Sequence, residues 1–260
     1  MTPAEFLHTH ALFSRNEFVA AMRLRGPNAP ATLTKHLQKW RREGRLLVVR
    51  RGVYLRLAEG QAAANLSVDP LALASRLAPD ATLAYHSALE ALGHAHSVFE
   101  RVYFVTWTKA KSIRFQDRAY VPVQPRARLR RAKDLCVVRL ERAGLELRAT
   151  SLERTLVDVL DRPDLAGGIE EVWRSLASIE ALDFAVLARY AELIARPLLT
   201  ARLGYVLDSH AHRWLTPPRL LATLEARRPA GPVYLDRRQP GRLVKRWNLM
   251  VPPETTPSKE

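Results

Sequence analysis

Apolar residues recur at helical spacing over 33–40, where Leu33, Leu37 and Trp40 fall at i, i+4 and i+7 and Gly44 follows as a stop. That spacing predicts a helix with one buried face. Directly after it the pattern changes: 46–49 and 53–57 run apolar or alternate, joined at Arg50-Arg51-Gly52, and predict a β-hairpin. Upstream, Ser14 with Glu17 three residues later makes a capping-box pattern ahead of RNEFVAAMRL, and Arg25-Gly26-Pro27-Asn28 carries turn chemistry. Helices joined by a turn and followed by a hairpin have the order of a winged helix-turn-helix.

The stretch LAEGQAAANLSV is small and polar enough for a linker, which puts a boundary near 58–68 and divides the chain into 1–60 and 61–260. Asp69 and Pro70 supply an N-cap and a first-turn proline for a helix through 77, and a short helix at 86–92 stops at Gly93. RVYFVTW, AYVPV, LCVVRL and LELRA are β-branched or alternating and predict a small sheet. Thr150 with Glu153 reads as a capping box for a helix over 151–160, whose Leu152, Leu156, Val159 and Leu160 form an apolar stripe. Gly167-Gly168 separates it from IEEVWRSLAS. Helices at 184–195, 198–209 and 218–227 then precede strands at 233–235 and 246–251. The expected fold class is α+β, an N-terminal winged helix-turn-helix followed by a larger mixed α+β domain.

Composition narrows the class. The chain has 260 residues, 47% of them hydrophobic, enough for a sizeable core in one or two domains. A single cysteine, Cys136, excludes an internal disulfide framework. The N-terminus lacks an apolar signal core, and no run of about 18 apolar residues occurs, so a cytoplasmic protein away from membranes is expected.

The net charge of +15 calls for an anionic partner, and its placement is uneven. Residues 1–58 hold 11 Lys and Arg against three Glu, whereas the other 202 hold 30 against 23 acidic residues. Opposite the Leu33–Leu37–Trp40 face lie Ala31, Lys35, Gln38 and Arg42, flanked by Thr34 and Lys39. Short polar and amide side chains near the start of the helix suit base edges in a major groove, and cations towards its end suit phosphates. Thr34, Lys35 and Gln38 are therefore expected to read bases, with Thr32 also on the DNA-binding surface. Lys39 and Arg42, with Arg50 and Arg51 on the hairpin, are expected to hold phosphates. The expected partner is double-stranded DNA. One such module covers only a short half-site, so two copies on an inverted-repeat operator are expected.

The order of LLVVRRGVYLRL, LAYHSALEALG, RVYFVT, LELRATSLERTLVDVLDRPDLAGG and a terminal KRWNLMV resembles the AbiEi family, antitoxins of type IV toxin-antitoxin systems. The resemblance covers nearly the whole chain. It implies autorepression of an operon through the winged helix, by a monomer or weak dimer that loads cooperatively on DNA. It also implies neutralisation of a nucleotidyltransferase-type toxin through the C-terminal region, with contact, modification and target competition all open as mechanisms.

Enzyme signatures are sparse. No phosphate-binding G-x-x-x-x-G-K-[ST] loop, H-E-x-x-H helix or G-x-S-x-G turn occurs. The nearest approach to the E-x-K triplet of metal nucleases is Glu146-Leu147-Arg148, where arginine does not serve as a base. A nuclease targeted by the winged helix is the alternative reading; the preferred one is a protein with no catalytic residues, cofactor or metal. Three H-x-H pairs (His8/His10, His94/His96, His210/His212) fall in helical or turn segments, where alternate side chains diverge. Glu153, Arg154 and Asp158 are accounted for by capping and ion pairing. A second basic cluster, PRARLRRAK at 125–133, reads as a basic hairpin near Lys109, Lys111, Arg114 and Arg118. It suits a second DNA segment, nucleic acid held by the toxin, or acidic toxin surface, and within it Arg126, Arg128, Arg130 and Arg131 are the expected antitoxin contacts.

Overall fold

Capping boxes start the first two helices. Thr2 and Ser14 each accept from the backbone N–H three residues on, while Glu5 and Glu17 return to the Thr2 and Ser14 amides at 2.8 and 2.6 Å. The computed structural model describes residues 1–23 and 29–253. Its first elements are α1 (Pro3–Thr9), β1 (Leu12–Ser14), α2 (Arg15–Ala21), α3 (Ala29–Arg42), β2 (Leu46–Arg50) and β3 (Val53–Arg56). The turn expected over 25–28 lies outside the described residues. β3 is the central strand, paired antiparallel with β1 and β2. A register shift between Val48 and Arg50 bulges β2 just before the hairpin tip, and Gly52 takes the positive φ (89°) that the tip requires.

Side chains of β1 and β3 alternate between two cores. Phe13 and Tyr54 join Phe6, Leu7, Phe18, Leu33, Leu37, Trp40 and Leu46 under α3. Leu12, Val53 and Leu55 point the other way, into a core shared with Leu71, Leu77, Phe104, Tyr120 and Leu147 from the rest of the chain. Burying each such Leu or Phe contributes about 1.5–3 kcal/mol.

Beyond the 57–69 segment come α4 (Pro70–Arg76), β4 (Thr82–Leu83), α5 (His86–Ala91), β5 (Arg101–Val105), β6 (Ile113–Phe115), β7 (Arg118–Val123), β8 (Val137–Arg142) and β9 (Leu145–Thr150). Asp69 caps α4 through the Ala72 amide at 2.8 Å, as its position before Pro70 predicts. The strands form one mixed sheet in the order β6-β7-β5-β4-β9-β8. Along β5, Val102 and Phe104 face the core shared with the N-terminal elements, while Tyr103 and Val105 face the helices that follow.

Those helices are α6 (Leu152–Asp161), α7 (Ile169–Leu176), α8 (Phe184–Ile194), α9 (Pro197–Ser209), α10 (Ala211–Trp214) and α11 (Pro218–Ala226). A last sheet of β10 (Val233–Tyr234), β11 (Arg242–Val244) and β12 (Leu249–Val251) closes the chain around the central β12.

Three expectations change. The cap of α6 is Ser151, whose Oγ accepts from the Arg154 amide at 3.4 Å; Thr150 ends β9 and its hydroxyl meets that of Thr155 at 2.6 Å. The strand expected over 246–251 begins only at Leu249, because Lys245–Trp247 forms a 3-10 turn that drives the Trp247 ring into the core against Gly204. A side chain at Gly204 would overlap that ring. The basic hairpin expected at 125–133 is instead a 3-10 turn, Ala127–Ala132, pinned by the buried Leu129. Among the described residues no helix is long and apolar enough to cross a membrane.

Candidate nucleic-acid interface

Helix α3 is anchored by Leu33, Leu37 and Trp40, which are buried against Phe18 and the small sheet. The Trp40 and Phe18 rings lie 5.2 Å apart. This fixes the rotation of the helix and so decides what it offers to solvent. Thr32, Lys35, Gln38, Lys39 and Arg42 are exposed, and Thr34 is half-buried. Lys35, Gln38 and Arg42 have no partner among the described residues, whereas Lys39 sits 3.8 Å from Glu43 in an exposed pair. Such a pair contributes little and opens readily for a phosphate. Arg41 is also exposed; a wheel centred on Gln38 places it on the flank, and its length carries it to the surface.

The two hairpin arginines separate. Arg51 stands exposed at the tip with no partner among the described residues. Arg50 is half-buried and donates to the Leu77 carbonyl at the end of α4, 3.3 Å away. Arg51 is thus the free cation of the hairpin, and Arg50 is a tie between the hairpin and α4. A second tie joins the same parts: Arg76 Nε of α4 lies 2.8 Å from Glu17 Oε1 of α2.

Between these ties runs a cleft of about 700 Å³, lined by Arg15, Arg51, Arg76 and Arg148 together with Glu17 and Glu146. Arg15 comes to the hairpin because its amide donates to the Gly52 carbonyl at 2.8 Å. Arg15 did not stand out in the sequence, and Arg148 did so only as the end of the Glu146-Leu147-Arg148 near-match to a nuclease triplet, not as a binding residue. β1 is only three residues long and carries no readable period, and it is β1 that delivers Arg15 to the hairpin tip.

The second basic cluster lies on the 3-10 turn before β8. Arg126 pairs with Asp161, and Arg128 donates to the Ile194 carbonyl at 3.1 Å. Arg130 and Arg131 are exposed without partners among the described residues. Two of the four expected contacts therefore help to fasten the turn to the helices, and two are free.

The remaining titratable groups have internal tasks. Arg154 and Asp158 are buried, 3.4 Å apart, with Tyr190 donating to Asp158 at 2.8 Å and Arg154 donating to the Leu135 carbonyl at 3.0 Å. Burial raises the Asp158 carboxyl above its ordinary range, and the Arg154 charge works against that rise. His86 is fully buried, stacked on Phe99 and 3.5 Å from Glu171. Burial lowers its imidazole pKa, with Glu171 opposing. In each H-x-H pair at least one ring is otherwise engaged: His10 Nδ1 with the Phe6 carbonyl, His94 Nδ1 with Ser178 Oγ, His210 Nδ1 with the Val206 carbonyl. Among the described residues no group of three His, Cys, Asp or Glu is placed to hold a metal.

No family model matches the chain, and no curated protein matches it. Among solved structures, the crystal structure of the Rv2827c protein from Mycobacterium tuberculosis is similar, with a TM-score of 0.57 and 18% identity over 96% of this chain and 89% of that one. At that identity the likeness concerns the fold, and the chain is a mixed α+β protein over nearly its whole length.

Proposed function

We propose that the chain is a DNA-binding antitoxin that represses its own operon. In this reading residues 1–60 are a winged helix-turn-helix, with α2 and α3 as the paired helices and β2–β3 as the wing. The observation that carries the DNA reading is the exposed face of α3: Lys35, Gln38 and Arg42 lie without partners among the described residues, on a helix whose other side is fixed by Leu33, Leu37 and Trp40. Arg51 adds a cation at the wing tip. Lys35 and Gln38 read base edges; Lys39, Arg42 and Arg51 hold phosphates on either side. Thr32 and Thr34 line the start of the same face.

Neutralisation of a nucleotidyltransferase-type toxin rests on the resemblance to AbiEi antitoxins, and the free Arg130 and Arg131 are the surface assigned to it. The test of the DNA reading is footprinting and anisotropy on the DNA upstream of the chain's own reading frame. Two protected half-sites in inverted repeat are expected. Binding of equal strength to unrelated duplexes would remove the repressor reading. Growth rescue on co-expression with a neighbouring toxin tests the second half.

A further inference from the structure

We propose that the cleft between the hairpin and α4 binds a nucleotide-sized ligand bearing a di- or triphosphate. Five arginines line it, Arg50 among them, against two glutamates. The chain spends its own acids on part of this charge: Arg76 pairs with Glu17, and Arg148 with Asp134 outside the cleft. Arg15 and Arg51 receive nothing among the described residues. Like charges brought together in a concave wall raise the local positive potential and concentrate anions there. Guanidinium forks hold phosphate oxygens in pairs.

Size and lining indicate what the anion is attached to. About 700 Å³ lies within the range of small-ligand sites. Inorganic phosphate would occupy a small part of it. The lining also includes the exposed Pro79 and the edges of Val53, Leu77 and Ala78, apolar atoms against which a sugar or base can pack. A double helix presents its phosphates on a convex cylinder, which reaches the rim of such a cleft and not its floor.

The bound ligand would bridge two parts of the chain. Arg15 and Arg51 stand on the hairpin side, Arg76 and Arg148 on α4 and β9. Occupancy therefore fastens the hairpin to the larger sheet and withdraws Arg51 from any other anion. If Arg51 holds a DNA phosphate, as proposed above, the ligand competes with DNA; this consequence alone rests on that reading.

The full chain is titrated by calorimetry with ATP, ADP, adenosine and inorganic phosphate, without divalent metal and at matched ionic strength. ATP and ADP are expected to bind, with adenosine and phosphate each at least about tenfold weaker. Arg15→Gln and Arg148→Gln should each weaken ATP binding by about tenfold, Arg15→Lys should restore part of the loss, and Arg219→Gln, exposed on α11 and outside the cleft lining, should change nothing. Circular dichroism establishes that each variant is folded, and Arg15→Gln on the first turn of α2 serves if Arg148→Gln is not. ATP binding that survives Arg15→Gln unchanged would overturn the site. So would the lack of any binding up to millimolar nucleotide. If nucleotides fail to bind while Arg15→Gln and Arg148→Gln weaken duplex binding, the cleft belongs to the DNA backbone and the small-ligand proposal is wrong. If ATP binds but does not compete with operator DNA, the site stands and the role given to Arg51 on DNA falls.

Discussion

Arg76 of α4 reaches the Glu17 carboxylate of α2, Nε to Oε1 at 2.8 Å, and Glu17 is the same residue that closes the capping box on Ser14. One carboxylate thus starts α2 and ties it to a helix nearly sixty residues further on. Arg76→Ala should lower stability by about 1 kcal/mol, because the pair is only partly shielded from water. Glu17→Ala removes the cap as well and should cost about 1 kcal/mol more. Urea denaturation measures both; an Arg76→Ala protein as stable as the parent would mean that the tie contributes nothing, and equal losses in the two variants would mean that the Glu17 cap contributes nothing.

The face of α3 yields a prediction that separates specificity from affinity. Gln38→Ala should lose roughly 1–3 kcal/mol at the operator and little on random duplex, whereas Arg42→Ala should weaken both and make the salt slope shallower by about one. Arg50→Ala, in contrast, should change stability more than the salt slope, since its guanidinium is turned to the Leu77 carbonyl. Anisotropy over a salt series decides. Identical behaviour of Arg42→Ala and Arg50→Ala would place Arg50 on DNA after all.

Gly204 has no side chain because the Trp247 ring occupies the space. Gly204→Ala should cost about 1–3 kcal/mol by forcing the ring outwards. Trp247→Ala should cost about 3–5 kcal/mol through the cavity it leaves. The double variant with Trp247→Leu should recover part of the first loss, and thermal unfolding of the three proteins would reveal it. A Gly204→Ala protein as stable as the parent would show that the last sheet moves freely against α9.

Acid should destabilise the fold through His86. Its folded pKa lies below the ordinary 6.5, so below that value the unfolded chain binds a proton that the folded chain does not. Stability is therefore fully present above about pH 6.5 and declines as pH falls towards the folded pKa. His210, lowered by burial in the same direction, contributes a parallel decline. His86→Gln should make the loss between pH 7 and 5, followed by urea midpoints, shallower without abolishing it. An unchanged slope would assign the effect to His210 and the carboxylates.

The helix α3 and the hairpin after it were legible because each carries a clear period, 3.6 over Leu33–Leu37–Trp40 and near 2 around Arg50-Arg51-Gly52. Capping pairs at Ser14 and Asp69 were equally readable, since the interaction spans three residues. What escaped was short or distant. β1 and β11 are three residues each, too few for a period to show, and Lys245–Trp247 departs from strand geometry to bury one ring. Of the face expected on α3, Thr32, Lys35, Gln38, Lys39 and Arg42 are exposed, whereas Thr34 is half-buried and the exposed Arg41 was not singled out. Destinations of Arg50, Arg126 and Arg128 were not foreseen, because each meets a carbonyl or carboxylate from a remote segment, and local spacing holds no information about that.

The two-sided strand β3 has an evolutionary consequence. Tyr54 belongs to the core under α3, while its neighbours Val53 and Leu55 belong to the core of the larger sheet. An N-terminal segment exchanged between relatives would carry the first set of contacts with it and arrive without the second. Viable chimeras should therefore need Leu12, Val53 and Leu55 retained from the recipient, so that the outer face of α3 changes by substitution in place rather than by wholesale replacement of the segment, and under the proposed function operator preference would drift in the same way.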